Sequence, residues 1–354
     1  MDVKINSFTI AMLYIGSLLG AGFASGKEIY TYFSIYGTLG LGGIALCTLL
    51  FVTLGIILLL YAAMAKPPAY FDLLAPGNER LKTMLEWCMY TVFAVIFMAM
   101  LAAGGAVANQ QLAIPAPLGS FFTAAAVFIV VARGIKGIVK TMERIVPLIL
   151  IMALGIAVYL LAVTPANLTG IENQALPTPS YPWPVSALIY LCYNYLAAIP
   201  ILYVSGAQVK STQKALIGGA LGGLGLGLSA FLLFKVLIMD PSASYLYPMP
   251  MLYFAGKLSP ALQIAYAMVL ILAIFCTATN ALYAITPRLP SDNRKKQACL
   301  GALCIVCYTL SLIGFTNVIQ YVYPLQGVLG FAVIVLLIAG FVKECFRRRS
   351  DISN

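Results

Sequence analysis

Apolar runs of 18 residues or more recur along the whole of this 354-residue chain, separated by short segments where glycine, proline and charge collect. Each run is long enough to cross a hydrocarbon layer about 30 Å thick as a helix. Helix is the form required, because lipid offers no partners to open backbone N–H and C=O groups. Composition agrees: 62% of the residues are hydrophobic, 9% are charged and mean hydropathy is +0.97, a balance that cannot give a globule of this size a water-facing surface. The chain reads as an all-α polytopic membrane protein, a single transmembrane domain over residues 1–354.

Hydrophobic runs read against loop chemistry predict ten transmembrane helices, near 5–36, 38–65, 83–108, 118–135, 141–163, 185–208, 212–239, 260–285, 297–314 and 317–342. Lys4 and the small residues Ala21 to Ser25 mimic a secretory signal, but an equally hydrophobic second span follows at once, so the segment is read as helix 1. The connections alternate in charge. One set, with the two ends, holds Lys4, Lys66, Arg80, Lys82, Arg133, Lys136, Lys140, Arg144, Lys210, Lys214, Arg288, Arg294, Lys295, Lys296, Lys343, Arg347, Arg348 and Arg349. Of the 21 lysines and arginines, only Lys27, Lys235 and Lys257 fall elsewhere. The positive-inside rule makes the cation-rich side cytoplasmic, with both termini there and 343–354 as a cytoplasmic tail. The net charge of +10 thus has a topological explanation; the bilayer and its anionic headgroups are the expected partner, not nucleic acid.

Of the eight cysteines, seven lie inside predicted spans and Cys345 in the basic tail, so no extracellular disulfide is expected. Cys304 and Cys307 form a CxxC in an apolar helix without other ligands and read as packing residues. Histidine is absent, which removes the commonest metal ligand and the usual neutral-pH proton carrier. With no phosphate-binding loop and no convergent nucleophile and base, the chain does not read as an enzyme, and no cofactor is expected.

The chain divides into two related halves of five spans, 1–163 and 185–342, joined by an outer loop at 164–184. An odd number of spans per half inverts the second against the first. The first span of each half is interrupted, by GAGFASG at Gly20 to Gly26 and by YNYLAAIP at Tyr193 to Pro200, and the second span of each is glycine-dense. For the second spans the glycines (Gly37, Gly40, Gly42, Gly43; Gly218, Gly219, Gly222, Gly223, Gly225, Gly227) read as close helix packing. For the first spans a matched pair of interrupted helices points to a transporter's binding site.

An unwound membrane helix must satisfy its bare backbone groups in a protein-lined cavity or with a bound solute. Gly20, Ala21, Gly22, Phe23, Ala24, Ser25 and Gly26 are therefore the candidate backbone contacts, with Tyr190, Tyr193 and Asn194 from the matching break. Glu28 is the most informative side chain, since an intramembrane carboxylate is costly. It either binds a cation or carries a proton, or it pairs with Lys27 or snorkels outward. Lys235 lies little more than one turn before Asp240 at the outer end of helix 7, where it either snorkels or serves a coupling role. Helix 8 carries Thr277, Thr279 and Asn280, suited either to a hard cation or to interhelical hydrogen bonds. Gln320, Tyr321 and Gln326 on helix 10, and Asn109, Gln110 and Gln111 on helix 3, are weaker candidates. The loops 164–184 and 240–259 carry aromatics that read as interface anchors, the alternative being caps over a solute pathway.

The stretch IGSLLGAGFASGKE resembles the opening of the YkvI-like family of bacterial membrane proteins. That family is similar to the amino acid, polyamine and organocation transporters, which have the fold of the bacterial leucine transporter. The resemblance implies a 5+5 inverted repeat in the bacterial cytoplasmic membrane, with solute held between broken helices 1 and 6 and helices 3, 8 and 10. It also implies Na+ or H+ as the coupling ion. A Na+ site maps to Gly16 and Leu19 with Cys276, Thr279 and Asn280, although relatives typically carry a Ser/Thr pair at the last two positions. The lysine that some proton-coupled relatives carry in helix 5 has no counterpart, since 141–163 holds only Glu143 and Arg144. The function expected is secondary active transport of a small amino acid or amine by alternating access; the alternative is a ligand-sensing receptor subunit that keeps the fold without moving its ligand.

Overall fold

Several helices begin where a side chain accepts from one of the open N–H groups at the start. Asn6 accepts from Thr9 N–H at 2.7 Å and opens α1, Ser7–Leu18. Two short helices complete the first span, α2 (Ala21–Ser25) and α3 (Lys27–Tyr32). α4 is Leu39–Ala65, α5 Tyr70–Leu74, and α6 Glu79–Leu112, the last capped by Asn78. α7 (Ala116–Ala132), α8 (Ile138–Val163), α9 (Trp183–Gln208) and α10 (Thr212–Leu237) follow. The loop read at 240–259 folds as α11 (Pro241–Leu246) and α12 (Pro250–Leu258), each with proline in its first turn, where a missing N–H costs nothing. α13 (Pro260–Ile285), α14 (Asn293–Ser311), α15 (Phe315–Asn317), a π turn at Val318–Val322 and α16 (Tyr323–Ser353) complete the chain.

This computed structural model describes residues 6–65, 70–133, 138–163, 178–209 and 211–353, without the side chains of 138–147, 149–150 and 351–353. Lys4, Lys66, Lys136, Lys210 and most of 164–184 lie outside the described residues, as do the side chains of Lys140, Glu143 and Arg144. Among the described residues six helices are long and apolar enough to cross a membrane: α4, α6, α9, α10, α13 with the turn after it, and α15 through α16. Their lipid-scale apolar surfaces, exposed Leu49, Leu228, Val328 and Phe331 among them, mark an integral membrane protein.

The helices pack in two groups. α1, α4, α9 and α10 form one bundle, and α6, α7, α13 and α14 form the other; α16 lies on α9 and α4, and α8 on α13 and α10. The glycines of α10 explain the first bundle. A Cβ on Gly218 or Gly222 would strike Ile10 or Tyr14 of α1, whereas one on Gly219, Gly223 or Gly227 would strike Ile56, Val52 or Thr48 of α4. Two small-residue stripes on one helix thus admit two neighbours at backbone distance.

The expected break in the second half is corrected by the structure: α9 is helical without interruption from Trp183 to Gln208, with Pro200 inside it. YNYLAA contains no glycine, and Asn194 Nδ2 donates to the Tyr190 carbonyl one turn back, at 3.0 Å. A lone proline frees one carbonyl and bends a membrane helix without ending it. The tail beyond 342 is helical too, continuing α16 through Ser353, and there Arg348 donates to Glu344 and to the Met64 carbonyl.

Candidate functional site

The first span departs from helical geometry twice. Leu19 (φ −84°, ψ 72°) and Gly20 (φ −85°, ψ −173°) end α1, and the Gly20 N–H turns back to the Leu18 carbonyl at 3.0 Å. The helix restarts where Ala24 N–H reaches the Gly20 carbonyl at 3.1 Å, so the N–H groups of Ala21, Gly22 and Phe23 have no partner inside α2. The second departure is at Gly26, whose φ of 82° is open to glycine at little cost. Residues 21–25, expected to be unwound, form this short helix, so the opening is confined to its two ends. Ser25 braces it, donating to the Gly22 carbonyl at 2.6 Å and accepting from Lys27 N–H at 3.1 Å. Tyr266 of α13 donates to the Ala24 carbonyl.

Beyond Gly26, neighbouring residues point to different places. Lys27, 1% exposed, donates its ammonium to the carbonyls of Ser244 (3.2 Å), Tyr245 (2.5 Å) and Tyr247 (3.1 Å), and lies over the rings of Tyr30 and Tyr245. Three carbonyls and two ring faces are a full complement for one ammonium. Glu28, 5% exposed, turns instead into the bundle, where Tyr193 Oη donates to Oε2 at 2.9 Å. The alternatives of a Lys27–Glu28 pair and of an outward carboxylate are therefore both set aside. Gly22 makes room for this arrangement: a Cβ there would overlap the Glu28 carboxyl group.

Tyr193 stands in a continuous group of rings. Its centroid is 4.6 Å from that of Tyr323, 5.5 Å from Tyr32 and 5.6 Å from Tyr190, and Tyr32 and Tyr190 are 5.7 Å apart. Tyr32 Oη donates to the Ile319 carbonyl inside the π turn at 2.7 Å, and Ser186 Oγ donates to the Tyr32 carbonyl at 3.1 Å. On its other side Tyr32 lines a cleft with about 90 Å³ of space, bounded also by Lys27, Tyr30, Tyr181, Tyr245 and Gln320. Tyr32 therefore touches both the cleft and the tyrosine that holds the carboxylate.

Of the sequence candidates, the structure brings together Gly22, Glu28, Tyr190 and Tyr193. Asn194 is used within its own helix. In the set Gly16, Leu19, Cys276, Thr279 and Asn280, Thr279 Oγ1 donates to the Phe275 carbonyl of its own helix at 2.7 Å, and Asn280 is exposed. The α13 residue opposite the break is Thr277, whose Oγ1 lies 3.9 Å from where a Gly20 Cβ would stand. Tyr321 is 62% exposed, and its neighbour two positions on, Tyr323, is the one in the ring group. Gln110 pairs with both backbone groups of Met249, and Gln326 donates to the Val92 carbonyl. Lys235 is exposed, in keeping with snorkelling, while Asp240 is buried, caps α11 and meets Lys257 at 3.5 Å and Tyr253. Sequence reasoning missed Tyr32 and Tyr323; the one signal for them was tyrosine beside a helix irregularity. Among the described residues no three or more His, Cys, Asp or Glu side chains come together as metal ligands.

No family model matches the chain. It is 27% identical to the uncharacterized membrane protein YkvI of Bacillus subtilis (strain 168) over 356 residues, covering 98% of this chain and 99% of that protein. It is 24% identical to the uncharacterized protein YyaD of the same organism, covering 92% and 94%. Among solved structures it is similar to the inward-facing conformation of Mhp1 (TM-score 0.61, 13% identity, 95% of this chain and 76% of that one). It is also similar to MhsT in complex with L-phenylalanine (0.58, 16%, 95% and 90%) and to an Eremococcus coleocola manganese transporter (0.55, 14%, 95% and 85%). Across such distant sequences the likeness is one of fold, and the chain is a membrane protein with the LeuT-type fold of these transporters.

Proposed function

We propose that this protein is a secondary active transporter that moves a small amino acid or amine across the bacterial cytoplasmic membrane by alternating access. In this reading ten spans form two inverted repeats of five, 1–163 and 185–342, with both termini cytoplasmic. The observation that carries it is Glu28, a buried carboxylate held by Tyr193 beside a helix that is open at Leu19–Gly20. A structure built only for stability has no use for an intramembrane charge next to an interrupted helix. The separate packing of two helix groups supports a rocking motion of one against the other. Mhp1 is similar in fold and has both an inward-facing structure and a closed one with bromovinylhydantoin bound.

We take the driving gradient to be H+ in preference to Na+, because Glu28 is a buried titratable group at the break while Asn280, one of the residues mapped to a Na+ site, is exposed. Uptake of radiolabelled amino acids and amines into proteoliposomes tests the reading. The expected result is accumulation driven by a pH gradient and indifferent to a Na+ gradient. Ligand-induced thermal stabilisation with no flux for any solute would instead identify a sensor.

A further inference from the structure

Glu28 has no cationic counterpart among the described residues. Lys27 is held by three carbonyls on the opposite side, Lys235 on the adjoining α10 is exposed, and Lys257 lies at Asp240. The ionisable groups that face the carboxylate are phenols: Tyr193, which donates to it, with Tyr32, Tyr190 and Tyr323 around it from α3, α9 and α16. A lone ionised carboxylate in such surroundings is costly and has to be neutralised. Aromatic faces attract ammonium and quaternary ammonium groups and repel anions.

We propose that this tyrosine cage takes either one proton or one monovalent organic cation, an amine or a quaternary ammonium lacking a carboxylate, and that the protein exchanges the two one for one. A zwitterionic amino acid is disfavoured because its own carboxylate would meet Glu28 and electron-rich ring faces. When the cation enters, the Glu28 proton leaves to water on that side; on the other side the cation leaves and a proton is taken up. The site carries no net charge in either loaded form, so both can cross. The empty, ionised form is the costly one, and that enforces exchange over leak. Tyr32, which lines the cleft and packs on Tyr193, is the element that must move to admit the cation. The exchange rests on the transporter reading; the competition between proton and cation does not.

The test uses the purified full chain with ammonium, methylammonium, tetramethylammonium and choline as probes, and neutral amino acids as the contrast. Calorimetry in two buffers of different ionisation heat is expected to show about one proton released per tetramethylammonium bound, with Kd rising about tenfold for each pH unit of acidification where free Glu28 holds a proton. Glu28→Gln is expected to abolish cation-induced stabilisation. Tyr323→Leu is expected to weaken tetramethylammonium about fivefold. If Glu28→Gln does not fold, Tyr193→Phe decides: about tenfold weaker binding with the proton release intact is expected, and unchanged affinity would overturn the cage. Stabilisation by neutral amino acids alone, by no probe at all, or undiminished in Glu28→Gln would overturn the proposal. In proteoliposomes with the potential clamped, tetramethylammonium entry is expected to drive proton exit reported by an internal pH dye. Binding with proton release but no flux would sink the transporter reading and leave the cage; flux of a solute that displaces no proton would do the reverse.

Discussion

The two helices that begin the proposed repeats solve one problem in opposite ways. The first span opens its backbone at Leu19–Gly20 and again at Gly26, and contributes one charged group, Glu28. α9 keeps its backbone helical from Trp183 to Gln208 and contributes side chains, Tyr190 and Tyr193. The site is therefore asymmetric: peptide groups and charge come from one side, rings and a hydroxyl from the other. A repeat in sequence pattern does not impose a repeat in chemistry, because glycine removes the side chain that would hold a helix together, whereas a single proline removes only one N–H.

Four substitutions test that contrast. The largest effect is expected from Gly22→Ala, whose methyl group would displace the Glu28 carboxyl group. We expect cation-induced stabilisation to fall by about a hundredfold in apparent affinity, roughly the 2–3 kcal/mol of a lost charged hydrogen bond; retained affinity would show that the two need not touch. Next is Lys27→Met, which leaves three carbonyls without their donor and frees the 240–247 segment. A loss of about 2–4 kcal/mol in unfolding free energy in detergent is expected, with faster proteolysis in that segment; an unchanged pattern would mean the ammonium is not what holds it.

Gly26→Ala forces a side chain into the left-handed region and against Met251, and is expected to cost about 1–2 kcal/mol. Equal stability would remove the second departure from the first span's account. The smallest effect is expected from Pro200→Ala in α9, within about 0.5 kcal/mol of the parent and with cation binding preserved, because the helix there is already continuous. A change in binding of tenfold or more would make Pro200 a working hinge and restore the symmetry that the structure denies.

How far the site could be read in advance follows from which interactions are local. The break at Gly20 was legible because three glycines within seven residues weaken a helix whatever surrounds it. Tyr190 and Tyr193 were legible as residues of the matching segment, and Glu28 by its cost in lipid. The ring of Tyr323 was not: its neighbour Tyr321 has the same composition signal, and only the π turn at 318–322 decides which of the two faces α9. The break expected in α9 failed for a related reason, since Asn194 reads as an open amide until Tyr190's carbonyl is seen to accept from it.

The amino-acid sequence alone determined the membrane class, the helical architecture and the weak point of the first span, because solvent and backbone freedom act on each segment where it stands. The tertiary structure decided the partners of adjacent charges. One residue along a helix turns the side chain by about 100°, so Lys27 meets carbonyls more than 200 positions away while Glu28 meets a tyrosine on α9. No local rule contains that choice, since it depends on which helices are packed on either face.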